Sequence, residues 1–370
     1  MEIGIFQLLP APEALSDREV IEQALWEVDF AEAGGFGSVW IAEHHLSSFG
    51  LVGVPSVYAA AVAQRTRRVR IGFAVAVLPL HHPLRLAEEI AWVGHLSRGR
   101  LLVGVGPGFS PYDFGAYGVP LAERHARLAE GSAILRAALS GEPFSYTGRF
   151  WSVPPVTLRP RPFGGCAPPL LRASSSEESL REAARDGVPV MFGLAATAQI
   201  AERIAAYRAC AAELGRPPAE IDRQVAEFRV LRRVVLADGD EDALDALADA
   251  RRALRWEART TAVHAADAGD GTDAGDGTDA ADAAEVAGGL VGTPRTVLRE
   301  LAALRALGIR HVIAWLSFGD LPHAKVRRSM ELLRDEVLPA LAGEAPPAPV
   351  PVPMPAGLVG SGRLEGAASA

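Results

Sequence analysis

The chain has 370 residues, 49% hydrophobic and 22% charged, enough apolar material for one large α/β domain or two smaller ones. Its 45 acidic residues outnumber 37 basic ones for a formal charge of −8, which leaves no electrostatic case for nucleic acid or an anionic membrane surface as partner. Cys166 and Cys210 fit no metal or redox spacing, and no apolar run matches a bilayer, so a reduced, cytoplasmic protein without a metal site is expected.

Strand and helix signals alternate along the chain. Short apolar runs without polar alternation predict strands at 3–9, 38–42, 69–77, 101–105, 169–173, 188–192, 228–236 and 311–316, as expected where both faces of a strand are covered. Amphipathic helices are predicted between and after them at 17–33, 84–96, 121–139, 176–186, 197–214, 241–256, 293–307 and 322–341. Ser16 caps the first, and Thr293 followed by Pro294 opens the seventh. Eight strands, each followed by a helix, is the count of a (β/α)8 barrel, with a doubly wound sheet as competitor because strand order is invisible in sequence. A single domain over 1–342 is expected. The acidic, Gly- and Ala-rich segment 265–284 lacks large apolar side chains and reads as a mobile insertion, and the Pro- and Ala-rich tail 343–370 as disordered.

The chemistry concentrates where strands should end. Trp40-Ile41-Ala42-Glu43-His44-His45 carries a carboxylate and two imidazoles off the second strand, at the end where parallel α/β folds bind ligands. Adjacent strand residues point to opposite faces, so His44 and His45 cannot easily share one ion; one should face a pocket while the other packs or pairs elsewhere. Gly104-Val105-Gly106-Pro107-Gly108 follows the fourth strand but lacks dinucleotide-loop spacing. After the fifth strand, Ser174-Ser175-Ser176 and Ser179 offer hydroxyls and free backbone N–H groups to an anion, although taken alone a plain helix cap is the preferred account of them. His81, His82, His95 and His125 read as surface or capping residues. Phe6, Phe49, Phe109, Tyr112, Trp315 and Phe318 read as either pocket lining or barrel core.

Taken together, the chain resembles the bacterial luciferase-like flavin-dependent monooxygenases. The motifs are Ala42-Glu43-His44-His45, Phe49-Gly50-Leu51, His82-Pro83 with Ala87-Glu88, Ser97-Arg98-Gly99-Arg100, Asp113-Phe114, and Val291-Gly292-Thr293-Pro294. The resemblance implies a barrel that binds reduced FMN delivered by a separate flavin reductase, with O2 adding to the flavin to give a C4a-peroxide that oxidises a small organic substrate. It implies His44 as the catalytic acid or base, and Glu43 beside the flavin. A non-prolyl cis peptide between Ala74 and Val75 would lie against the flavin ring, and Ser175, Ser176 and Ser179 would hold the phosphate. It implies a homodimer through helices near 56–66 and 83–97, and a lid at 265–284. Gly106 stands where luciferase has a reactive cysteine. Pro107 stands where many members have a phosphate-holding arginine, a loss that Arg172 would have to make good. Two alternatives stay open: hydride transfer with deazaflavin F420 on the same barrel, and a non-catalytic subunit that supports a paired chain.

Overall fold

The computed structural model describes residues 1–174, 176–267 and 289–343. Its strands are β1 (Glu2–Gln7), β2 (Ser38–Ile41), β3 (Arg70–Val77), β4 (Leu101–Gly106), β5 (Phe144–Thr147), β6 (Ser152–Val156), β7 (Leu170–Ala173), β8 (Val190–Phe192), β9 (Arg229–Leu236), β10 (Leu290–Gly292) and β11 (His311–Trp315). Its helices are α1 (Asp17–Gly34), α2 (Pro55–Arg65), α3 (Pro83–Leu96), α4 (Pro111–Ala116), α5 (Arg124–Leu139), α6 (Glu177–Asp186), α7 (Thr197–Glu213), α8 (Pro218–Ala226), α9 (Asp240–Asp267), α10 (Pro294–Ala306) and α11 (His323–Leu332). α11 continues through a π-helical turn, Leu333–Val337, into Leu338–Ala342.

Eight of the strands close into a parallel ring in the order β1-β2-β3-β4-β7-β8-β9-β11, with β11 pairing back onto β1. That closure excludes the doubly wound sheet and establishes the (β/α)8 barrel. Alternation along each strand explains why its sequence is continuously apolar. Ile3, Ile5, Val39, Ile41, Val312 and Ala314 pack in the layer shared with the helices, whereas Phe6, Trp40, Leu102, Leu171, Met191 and Ile313 form a second buried cluster inside the ring. Trp40 fills that interior only because its neighbour across the sheet is Gly72: a Cβ there would lie 2.1 Å from Trp40 Cε3.

All eight barrel strands lie where the sequence places them, within two residues at each end. Four features were not foreseen. An antiparallel hairpin, β5–β6, follows α5. The short strand β10 pairs with Leu290↔Val234 register at the far half of β9. The short helices α4 and α8 both begin at prolines, α8 without a side-chain cap. The sixth expected helix also runs well past Trp256, as far as Asp267, so the first three residues of the expected lid at 265–284 are helical and the rest falls outside the described residues. Of the tail 343–370, only Gly343 is described.

Candidate functional site

β2 ends at Ile41, and the chain then turns back so that the His44 N–H donates to the Val52 carbonyl at 3.0 Å. This turn aims Glu43 and His45 into the protein beside β3, while His44 faces a cavity of about 350 Å3 at the C-terminal mouth of the barrel. Glu43, His44, Ala74, Val75, Gly106, Pro107, Ser176 and Ser179, eight residues singled out in the sequence, all line this one cavity. Ser175 lies outside the described residues.

Glu43 is a buried carboxylate, and burial alone would push its pKa up. Hydrogen bonds overcome that. His45 Nε2 lies 3.0 Å from Oε1, His81 Nε2 lies 2.8 and 3.0 Å from the two oxygens, and the Val77 N–H donates to Oε2 at 3.0 Å. Together they hold Glu43 down at about 2, so it is ionised at neutral pH. Burial works against charge on His81 too, but the bond and charge of Glu43 outweigh it and raise the His81 pKa. His81 is therefore corrected from a surface or capping residue to a partner of the buried carboxylate. No signal in His81-His82-Pro83 reveals that partner, which stands 38 residues earlier. His82 is exposed, His95 donates toward the Arg161 carbonyl, and His125 is exposed at the cavity's edge.

His44 behaves differently. Burial against apolar rings drives its pKa down to about 4, leaving a neutral imidazole at pH 7. Phe49 meets the ring edge-on at 4.7 Å between centroids and Phe109 at 5.8 Å, and its nitrogens have no hydrogen-bond partner among the described residues. The expectation that one histidine faces a pocket and the other pairs holds: His45 spends both nitrogens, on Glu43 and on the Tyr117 hydroxyl at 3.0 Å. Tyr117 was not anticipated. Of the candidate aromatic residues, Phe6 and Phe109 line the cavity, whereas Tyr112, Trp315 and Phe318 do not.

The far wall comes from β3 and β4. The peptide between Ala74 and Val75 is cis, and the β3–β4 register shifts between Phe73 and Ala76, which turns Ala74 and Val75 toward the cavity in an otherwise buried strand. Opposite them Gly106 must lack a side chain, because a Cβ would sit 2.6 Å from Val75 Cγ2. At the remaining end Ser176 caps α6 by accepting the Ser179 N–H at 3.3 Å, and the Ser174 and Ser179 hydroxyls hydrogen-bond each other. Arg172 pairs with Glu182 through its Nη2, yet its buried Nε has no hydrogen-bond partner among the described residues.

These residues fit reduced FMN. The apolar wall that Ala74, Val75, Gly106 and Pro107 present to the cavity suits the face of a flat ring. A cation with an unspent N–H, three hydroxyls and a helix N-terminus suit a phosphate. Among the described residues no group of His, Cys, Asp or Glu could hold a metal ion, and no described helix is long and apolar enough to cross a membrane.

A family model described as luciferase-like monooxygenase matches residues 1–311. The chain is 33% identical over 237 residues to a 4-hydroxyprotoasukamycin monooxygenase of Streptomyces nodosus subsp. asukaensis, covering 62% of each protein. Across the first curated relatives it spans between 46 and 62% of their length. Among solved structures, the monooxygenase RslO1 of Streptomyces bottropensis superposes with a TM-score of 0.79 at 28% identity, covering 92% of this chain and all of that one. The oxygenating constituent of 3,6-diketocamphane monooxygenase of Pseudomonas putida, a type II Baeyer-Villiger enzyme solved with FMN, shares the fold with a TM-score of 0.73 at 24% identity, covering 92% of this chain and 98% of that one.

Proposed function

The chain belongs to the luciferase-like monooxygenase family, and from that premise we propose that it is the oxygenase of a two-component, FMNH2-dependent monooxygenase acting on a small organic molecule. One observation carries the reading: a neutral His44, without a hydrogen-bond partner among the described residues, and a polar end at Arg172, Ser174, Ser176 and Ser179 suited to an anion line a single apolar cavity. Reduced FMN, when bound, supplies the electrons and the capacity to activate O2, as cofactors do in general.

The chain's own residues have four tasks. The Arg172 Nε–H and the serine hydroxyls bind the phosphate, and Ser175 joins them as its sequence position implies. Ala74, Val75, Gly106 and Pro107 shape the flavin wall and exclude water from it. Glu43, ionised at rest, fixes His45 and His81 beside the flavin wall. His44, neutral at pH 7, takes a proton from the substrate at a ring nitrogen, a role that suits an imidazole without other partners.

FMNH2 must then come from a separate flavin reductase. We read the protein as a homodimer through α2 and α3, a reading supported by Val57 and Trp92, 68% and 59% exposed on these neighbouring helices. The unpaired cysteines agree with a cytoplasmic setting. Pro107, which brings no cation, favours a second reading, hydride transfer from reduced F420.

Anaerobic titration of the purified protein separates the two. Saturable binding of FMNH2, followed by O2 consumption on mixing with oxygenated buffer, is the expected result. Binding of reduced F420 with no affinity for FMNH2 would overturn it.

A further inference from the structure

On the outer side of His44 and His45 lies a second, open hollow of about 670 Å3, walled by Pro12, Leu46, Val54 and Tyr117. Tyr117 is 49% exposed there, whereas Glu43 lines the inner cavity and is almost wholly buried. Between them stands His45, itself buried, with Nδ1 3.0 Å from the Tyr117 hydroxyl and Nε2 3.0 Å from Glu43 Oε1. We propose that Tyr117, His45 and Glu43 form a proton conduit from the outer hollow to the cofactor cavity, with Tyr117 and His45 as positioning residues of the reaction. Its use for flavin chemistry rests on the function proposed above; the conduit itself rests on the hydrogen-bond geometry.

Donor directions follow from the charges. An ionised Glu43 only accepts, so His45 Nε2 and His81 Nε2 carry the hydrogens that face it. With its hydrogen on Nε2, His45 offers a lone pair at Nδ1, and the Tyr117 hydroxyl donates to it. For an inward hop, the Tyr117 O–H bond breaks as Nδ1–H forms, while the phenol oxygen takes a proton from hydronium or a buffer acid in the hollow, which is left as water or the conjugate base. His45 Nε2–H breaks as Glu43 O–H forms, and the carboxyl proton passes to an acceptor in the cavity. The hop leaves His45 with its hydrogen on Nδ1. An outward hop restores Nε2–H, as an overall reaction with neutral reduced flavin requires, because it takes no net proton from solvent.

The arrangement reconciles two demands. The flavin site must stay dry, yet oxidation there moves protons. A chain of three side chains carries protons while admitting no water. Asp113, held near the His45 backbone N–H and Ser110, closes this wall from α4, with Glu89 of α3 acting on His81 from the other side.

The test uses flavin-free protein with nitrogen-15-labelled histidine. Tyr117→Phe keeps the ring that packs edge-on against His45 at 4.7 Å and deletes only the hydroxyl. The conduit predicts that exchange of the His45 Nε2–H with water slows at least tenfold in the variant. An unchanged exchange rate overturns it. In the unsubstituted protein the ring must be the Nε2–H tautomer, and finding the hydrogen on Nδ1 at rest also overturns it. Both results are read without cofactor, so a failure to bind FMNH2 would sink the proposed function and leave the conduit to be judged on exchange alone. With FMNH2 bound, Tyr117→Phe should slow substrate-free reoxidation by O2, and small proton-donating buffers should restore the rate. Insensitivity to both changes would show the chain to be structural.

Discussion

The two ends of the barrel are built from similar residues to opposite purposes. At the N-terminal end, where β1, β2, β3, β9 and β11 begin, Arg70 meets Glu2 at 2.6 Å and Arg229 meets Glu227 at 3.1 Å. His311 lies between the two acids, at 3.7 and 3.8 Å, and the Ser38 hydroxyl adds a bond to Glu2 at 3.2 Å. Each charge there has its opposite. At the C-terminal end, Glu43 meets two histidines and the Val77 N–H but no arginine or lysine, and among the described residues His44 has no hydrogen-bond partner and Arg172 keeps a buried N–H unspent. The lower network is complete without any ligand, whereas the upper one leaves specific groups for a ligand to complete. A barrel of this kind separates stability from chemistry along its axis.

The largest effect is expected from breaking the upper end at His44, the buried imidazole that faces the cavity. His44→Ala should lower product formation at least 100-fold while FMNH2 affinity changes little, the range that loss of a general acid or base produces. Measuring turnover beside flavin binding checks this, and normal turnover would remove His44 from catalysis. Next comes the flavin wall. Gly106→Val places branched carbons against Val75 and Ala173, so the melting temperature should fall and the folded variant should bind FMNH2 tenfold or more weakly; calorimetric titration of the variant below its melting temperature decides it. The smallest effect tests the lower end.

Glu2 is held at about 2 because the His311 hydrogen bond and the Arg70 charge overcome burial, and Glu227 at about 2, first through His311. Both carboxyls titrate lower in the fold than in an unfolded chain, where 4.5 is typical. Their contribution is therefore present above about pH 4.5 and is lost as pH falls toward 2. Glu2→Gln should cost roughly 1–3 kcal/mol at neutral pH, flatten acid unfolding in that window, and leave turnover untouched. A matching loss of activity would show that the two ends are coupled.

How far the sequence disclosed this follows from the range of each interaction. The barrel strands are legible because both faces are buried, which writes an unbroken apolar run into each. The β5–β6 hairpin is not, since Ser152-Val153-Pro154-Pro155-Val156 carries two prolines that argue against a strand. α8 hides behind Pro217-Pro218, which reads as a break between elements rather than the start of one. In the site, the residues named from motifs converge on one cavity because each lies in or just beyond the C-terminal half of a barrel strand. Tyr117 and His81 escape because their meaning lies in partners 72 and 38 residues distant, a pairing that closure of the barrel creates and local pattern does not encode.

Trp40 and Gly72 carry a consequence for how such a protein can change over generations. The indole occupies the space that any side chain at position 72 would need, so neither position can be altered alone without a clash or a void. The barrel's waist can drift only by paired substitutions. The loops above it accept single ones, and new substrates can therefore be explored there at little risk to the body that holds them.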